Sequence, residues 1–267
     1  MMKPLKRIRR WWLRRTADVH ILSFPKCGRT WLVLMLSKVM EEQYGIQLRN
    51  PLRLRDYHKK NRRVPLILQH HDGGPEFQRV EQLNRDKQEY AGRKVLFLVR
   101  DPRDVTVSAY FQKTKRNYNY EGELKDYVYE PVGSIETNIE FYNIWARNRH
   151  IPSDFLLMTY EDMHADTERE LRRAVDFIGL ENVSDETISR AVEFCRFENM
   201  RKLESSNALG SRAMAPRDAK DESTYKTREG RIGGYAKHLD AEEIAHIDRL
   251  IDERLAHLYA AYRRIDA

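Results

Sequence analysis

Only two cysteines, Cys27 and Cys195, occur in the 267 residues. That excludes a disulfide-stapled scaffold and a cysteine-rich zinc module. No run of about 18 apolar residues is present, so no segment reads as a membrane-crossing helix. No internal repeat is visible, and no Gly-x-x-x-x-Gly-Lys-Ser/Thr stretch occurs, which removes the usual nucleoside-triphosphate loop. Acidic residues are absent from positions 1–15, which carry Lys3, Lys6, Arg7, Arg9, Arg10, Arg14 and Arg15. The formal net charge is +7, so these seven cations account for all of it and the remaining chain is neutral. A basic nucleic-acid-binding body is therefore not expected.

Residues 1–18 read as a basic, aromatic arm, with Trp11 and Trp12 beside Leu13. Its apolar stretch is too short for a signal-peptide core, and Thr16 is its one hydroxyl residue, too few for a transit peptide. Two readings stand side by side. Tryptophan at an interface and cations on anionic lipid make a peripheral membrane contact through residues 1–15. Alternatively, the arm is solvated and its tryptophans pack on the body.

Residues 19–267 read as one α/β domain. Val19 to Phe24, Val64 to His70, Lys94 to Val99 and Phe155 to Thr159 are short apolar strand candidates. Helical patterns lie between and after them, at Thr30 to Tyr44, Asp104 to Lys115, Ile135 to Asn148, 165–179 and 185–204. Trp31 to Leu36 is nearly all apolar, as in a buried central helix. A last helix opens on a capping-box pair, Asp240 and Glu243, and holds Ile244, Ile247, Ile251 and Leu258 on one face. Alternating strands and helices predict a central parallel sheet flanked by helices. Residues 205–239 are polar and without periodicity; a stretch of that length reads as a lid loop.

Two loops carry chemistry. The first, Pro25-Lys26-Cys27-Gly28-Arg29-Thr30, joins a strand to a helix. Unpaired N–H groups at a helix start, together with the helix dipole, favour an anion. Gly28 lets the backbone approach closely, Lys26 brings a mobile charge and Thr30 a hydroxyl. The bland counterpart is an ordinary turn with an exposed lysine. The second, Val99-Arg100-Asp101-Pro102-Arg103-Asp104, leaves a strand end, where open α/β sheets bind ligands. Arg100 suits a two-pronged grip on phosphate, and Ser108 follows two helical turns later. Arg103 and Asp104 read instead as a helix-capping pair.

Together these segments resemble the sulfotransferase family that uses 3′-phosphoadenosine 5′-phosphosulfate. Phe24-Pro25-Lys26-Cys27-Gly28-Arg29-Thr30-Trp31 is similar to the family's 5′-phosphosulfate loop, and the Arg100 to Ser108 segment to its 3′-phosphate segment. Tyr160-Glu161-Asp162-Met163 and Phe197 to Met200 are similar to elements that border the adenine. Arg228-Glu229-Gly230-Arg231-Ile232-Gly233-Gly234-Tyr235 resembles the late loop around the 3′-phosphate. These matches run in the family's order from about residue 19 to 238. Departures are Cys27 for serine, Arg29 for threonine, Glu229 where lysine is common and Tyr235 for tryptophan.

The resemblance implies a P-loop-like fold, a cytoplasmic enzyme and in-line sulfuryl transfer to an acceptor hydroxyl or amine, without a metal. It implies donor contacts from Lys26, Cys27, Gly28, Arg29, Thr30, Trp31, Arg100, Ser108, Tyr160, Phe197, Arg228, Glu229 and Gly230. Lys26 would steady charge on the leaving oxygen. A base is expected in Gln69-His70-His71-Asp72, with His71 first and His70 second; histidine has a suitable pKa. Asp72 would orient the ring or sit in a turn. Other readings of His-His-Asp are a metal site lacking its third ligand and two structural histidines. The acceptor, a small molecule or glycan, is not named by the sequence. Tyr110, Tyr118, Tyr120, Tyr127 and Tyr129 would either stack on it or simply pack. The family often forms dimers. Competing readings are a small-molecule kinase and a non-catalytic nucleotide- or polyanion-binding protein.

Overall fold

Four strands, Val19–Ser23 (β1), Ile67–His70 (β2), Lys94–Val99 (β3) and Asp154–Thr159 (β4), form one parallel sheet in the order β2-β1-β3-β4. The computed structural model describes residues 12–211 and 214–264. All five residues of β1 are buried, as expected for a strand covered on both faces. The chain leaves β1 for β2 on one side and returns for β3 on the other. This opens a switch-point crevice between the carboxyl ends of β1 and β3.

Helix α1 (Arg29–Tyr44) follows β1 directly, and Leu32 to Leu36 are at most 3% exposed. The helices α2 (Arg55–Lys60), α3 (Pro102–Phe111), α4 (Leu124–Val128) and α5 (Ile135–Asn148) follow in order. Then come α6 (Tyr160–Ala165), α7 (Thr167–Ile178), α8 (Asp185–Phe194), α9 (Phe197–Ser205) and α10 (Ala241–Arg254). Trp145, Tyr142 and Phe141 of α5 pack their rings against Phe97 of β3.

The expected elements are present, with local departures. β2 begins at Ile67 rather than Val64 because Pro65 has no N–H to give a neighbouring strand. α3 starts at Pro102, its first-turn proline, and the Asp101 carboxylate caps it by accepting from Arg103 N at 2.8 Å. Its tail widens into a π-helical stretch, Gln112–Asn117. The 165–179 segment is preceded by the separate helix α6, and the Asp166 side chain caps α7. The 185–204 pattern is two helices: the indole of Trp31 donates to the Cys195 carbonyl at 3.0 Å, diverting it from helical bonding, and Arg196 is extended. The capping box of α10 is reciprocal, whereas Leu258 lies beyond that helix.

Beyond Ser205 the 205–239 segment has only two short 3-10 turns among its described residues. Two buried carboxylates tie it down. Glu204 accepts from the backbone of Lys226 and Thr227 and pairs with Arg116 at 3.1 Å. Asp104 accepts from the backbone of Gly233 and Tyr235, each at 3.0 Å. The expected Arg103–Asp104 cap is therefore replaced: Asp101 caps the helix, Asp104 pairs with Arg100 and holds the late segment, and Arg103 is paired with Asp248 and Asp101. In the arm, residues 12–16 are helical; Trp12 is 57% exposed, and Arg14 is what reaches the body, at Glu89 and His70. Trp11 and the arm's first basic residues lie outside the described residues.

Candidate active site

Each strand is followed at its carboxyl end by one of the residues that the sequence singles out: Lys26 after β1, His71 after β2, Arg100 after β3 and Tyr160 after β4. All four line one cavity of about 1080 Å³. Eight of its lining side chains are lysine or arginine, and among the described residues one, Glu76, is an acid.

Between β1 and α1 the loop turns through Lys26 (φ 77°) and Gly28 (φ 85°), both left-handed. A side chain at Gly28 would place its first carbon 2.5 Å from Tyr160 Cδ2, so loop and ring touch here because the residue is glycine. Arg29, Thr30 and Trp31 open α1 and line the cavity. Cys27 does not: its thiol is fully buried, 3.1 Å from the Tyr142 hydroxyl, and burial pushes it up to about 12. The Tyr142 hydroxyl also donates to the Arg100 carbonyl and accepts from the Arg100 N–H, each at 3.0 Å. It therefore ties the Lys26 loop to the Arg100 loop.

Lys26 Nζ donates to Gln112 Oε1 at 3.1 Å. Burial, then the neighbouring charges of Lys226, Arg116 and Arg100, hold it well below its ordinary pKa. His71 Nδ1 is 2.9 Å from the Ser23 carbonyl, which can only accept, so Nδ1 carries the proton. Nε2 then accepts from Arg29 Nη2 at 2.8 Å. Burial and the Arg29, Lys226 and Lys26 charges keep this ring neutral well below 6.5, against a raising contribution from the Ser23 carbonyl.

His70 takes no part in the cavity. Its Nε2 meets His20 Nδ1 at 3.2 Å, its Nδ1 accepts from Asp72 N at 3.1 Å, and its ring stacks near Tyr90. Asp72 likewise turns away from His71, binding the Tyr90 hydroxyl and pairing with buried Lys87 at 2.7 Å. Of the readings open to the pair, geometry makes His70 structural, puts Asp72 in a strained turn (φ 46°) and leaves His71 in the cavity.

Arg100 borders the large cavity and also a second, small pocket of about 40 Å³ with Ser108, Arg228, Glu229, Gly230 and Arg231. Its guanidinium donates to the Arg231 carbonyl at 2.8 Å and pairs with Asp104 at 3.1 Å, while its buried Nε has no hydrogen-bond partner. An unpaired buried donor of this kind fits an anionic ligand. Glu229 pairs with Arg228 at 2.7 Å and meets His238 at 2.9 Å, so its carboxylate partners neighbouring cations.

One wall is aromatic. The Trp31 ring lies 6.0 Å from Tyr160 and 4.9 Å from His164, and Phe197 lines the same space. Gly230 (φ 60°) packs on Phe197, where an added side-chain carbon would sit 2.5 Å from Cδ2. Such a cleft suits a flat base. His164, Gln112, Glu76, Lys113, Arg116 and Lys226 are lining residues that sequence reasoning missed. Lys226 stood two residues from Arg228, and Lys113 and Arg116 one turn apart after α3; Glu76 gave no signal. None of the five tyrosines after Arg100 lines the cavity, and Tyr110, Tyr120 and Tyr127 pack on one another.

Against known proteins, the sulfotransferase domain model matches residues 16–259. Cytosolic sulfotransferase 16 of Arabidopsis thaliana is 24% identical over 273 residues, 90% of this chain and 76% of its own. The 3-beta-hydroxysteroid sulfotransferase of Cavia porcellus is 24% identical over 277 residues, covering 94% and 88%. Among solved structures, a mouse sulfotransferase complexed with PAP aligns with a TM-score of 0.63 at 19% identity over 92% of this chain and 88% of that one. Retinol dehydratase with androsterone and inactive cofactor PAP aligns at 0.60 and 19%, over 91% and 82%.

Proposed function

The chain belongs to the sulfotransferase family, and we propose that it transfers a sulfuryl group from 3′-phosphoadenosine 5′-phosphosulfate (PAPS) to an acceptor hydroxyl or amine. The other product is 3′,5′-bisphosphoadenosine (PAP). The observation that carries this assignment is Arg100, which borders both the large cavity and the small Ser108 pocket. One guanidinium thereby joins a 5′-phosphosulfate end at Lys26 to a 3′-phosphate end at Ser108. Arg228, Gly230 and the Arg231 backbone close the second end; Trp31, Tyr160 and Phe197 take the adenine.

In this mechanism the acceptor oxygen or nitrogen attacks sulfur while the bond from sulfur to the 5′-phosphate oxygen breaks. The acceptor proton passes to His71 Nε2. Lys26 and the loop amides neutralise charge growing on the leaving phosphate, and placement supplies most of the acceleration. The 205–239 segment excludes water, a competing acceptor, by covering the cavity through Ala215, Pro216 and Lys226.

Calorimetry with PAP against ADP tests the donor assignment directly. A strong preference for PAP is expected; equal affinities remove the 3′-phosphate pocket from the mechanism. The same proposal places the enzyme in the cytoplasm, with the arm able to touch an anionic membrane. No helix among the described residues is long and apolar enough to cross one. Liposome flotation with and without residues 1–15 checks the contact, and light scattering checks for a homodimer.

A further inference from the structure

Adjoining His71 in the chain is a buried polar cluster that the mechanism leaves without a task. Lys87 and Tyr90 stand on one turn, closed by the Tyr90 N–H donating to the Lys87 carbonyl at 2.9 Å. Both reach the Asp72 carboxylate. Lys87 Nζ lies 2.7 Å from Oδ2, and the Tyr90 hydroxyl donates to Oδ1. The Lys87 and Asp72 side chains are each 2% exposed. Desolvation cancels much of the attraction in such a pair, so stability alone is a weak reason for it. What the pair does fix is direction, because two donors grip the two oxygens of one carboxylate. The grip is founded on the core. Tyr90 packs edge-on against the fully buried Trp145 at 5.0 Å, and Lys87 Nζ lies 5.3 Å from the same indole.

Asp72 is where that direction counts. Directly after His71 the backbone turns through three left-handed residues, Asp72 (φ 46°), Gly73 (φ 101°) and Gly74 (φ 82°). The glycines take such angles freely, whereas Asp72 takes them at a cost that its surroundings must hold. Asp72 is also the only side chain between His71 and Pro75, so it is the one anchor that stretch can have. The His71 ring meets the Ser23 carbonyl and Arg29, and both contacts stay aligned only while the backbone carrying the ring stays put. Resting on the assignment of His71 as the base of the proposed sulfuryl transfer, we infer that Lys87 and Tyr90 are positioning residues: they clamp Asp72 and thereby set the backbone from which His71 presents Nε2 to the cavity. A loosened clamp lets the ring drift from the Ser23 carbonyl, and Nδ1 is then no longer the fixed seat of the proton. Nε2, the atom that must take the acceptor proton, is protonated part of the time and idle while it is. None of Asp72, Lys87 and Tyr90 lines the cavity, so the clamp acts on the base without touching the donor.

The tautomer of His71 tests this without any acceptor. The full chain, with its histidine ring nitrogens isotopically labelled, is followed by NMR at neutral pH, and His71→Gln assigns the signals. In the wild type, Nδ1 and Nε2 should show the well-separated shifts of a single Nδ1–H tautomer. Lys87→Met/Asp72→Gly removes the clamp, leaves neither charge of the pair buried alone and puts glycine where φ is positive. In that variant the shifts should converge, as the ratio of the two tautomers falls by about tenfold, the worth of one hydrogen bond. A purely structural pair would lower the urea midpoint and leave the ring shifts where they were. That result, in a variant folded by circular dichroism, overturns the inference, and so do converged shifts in the wild type itself. Tyr90→Phe deletes one prong and no charge, and should move the shifts the same way by less. Where the double variant does not fold, unchanged shifts in Tyr90→Phe overturn the inference instead. The assignments beneath it fail separately: the donor by loss of the PAP-over-ADP preference, the base by turnover retained in His71→Gln, and neither result alters the ring shifts.

Discussion

The guanidinium of Arg100 lies 4.2 Å over the ring of Tyr160. The pair joins the carboxyl ends of β3 and β4 and brings a phosphate grip beside an aromatic wall. Cation–π contact helps hold the arginine plane at the boundary of the two pockets that Arg100 lines.

Replacing Arg100 by alanine should therefore separate the two nucleotides. Loss of a charge-assisted phosphate contact costs about 1.5–3 kcal/mol, or roughly 10- to 150-fold in affinity. The loss should fall on PAP far more than on ADP, as read by calorimetry. A parallel loss for both would assign Arg100 to the 5′ end alone.

Lys26, His71 and His70 divide differently. Lys26→Met should lower turnover by about 10²–10³, the scale of losing one preorganised charge stabiliser. His71→Gln should lower it by about 10²–10⁴, the scale of a general base. His70→Gln should retain most turnover and register mainly in urea midpoints, because its ring binds His20 and Asp72 outside the cavity. Steady-state rates with saturating donor decide, and an inactive, stably folded His70 variant would reverse the assignment.

Strand-to-helix alternation was legible because four short apolar runs ended in loops rich in turn residues. The Lys26, Arg100 and Arg228 segments were legible because local spacing encodes a strand end, a helix start or a glycine turn. Glu76, Lys113 and His164 were not. They reach the cavity from a turn, a π-helical stretch and a short helix whose directions depend on packing. The split of 185–204 was equally hidden, since it depends on an indole 164 positions away taking the Cys195 carbonyl. His70 and His71 are adjacent, so only the pleat of β2 and its exit could say which faced the ligand.

Gly230 and Gly233 form a controlled pair. Both have positive φ, 60° and 71°, so alanine at either is strained by about 1–2 kcal/mol. At Gly233 a side chain meets nothing within 4 Å, whereas at Gly230 it meets Phe197. The two variants should lose similar stability from strain, with Gly230→Ala losing more. Only Gly230→Ala should also weaken PAP binding, by displacing the ring that borders the base. Equal PAP affinity in the two variants would place Phe197 outside the nucleotide site.

His20 gives the protein an acid-sensitive core. It is fully buried, its Nδ1 faces His70 and its Nε2 has no hydrogen-bond partner. Burial lowers its pKa to about 4, outweighing a hydrogen bond in the Arg14 region that raises it. In the unfolded chain histidine titrates near 6.5, so between the two values the unfolded state binds more protons. Stability is then fully present above 6.5 and is lost as pH falls toward 4, by about 3 kcal/mol for this one group. Asp101, raised to about 6 by burial, acts in the opposite sense between about 4 and 6, so the whole-protein slope mixes signs. The difference between wild type and His20→Gln removes that background. Urea unfolding at pH 6.5 and pH 4 should show the wild type losing about 3 kcal/mol more than the variant, and parallel losses would mean that His20 is protonated in the folded core.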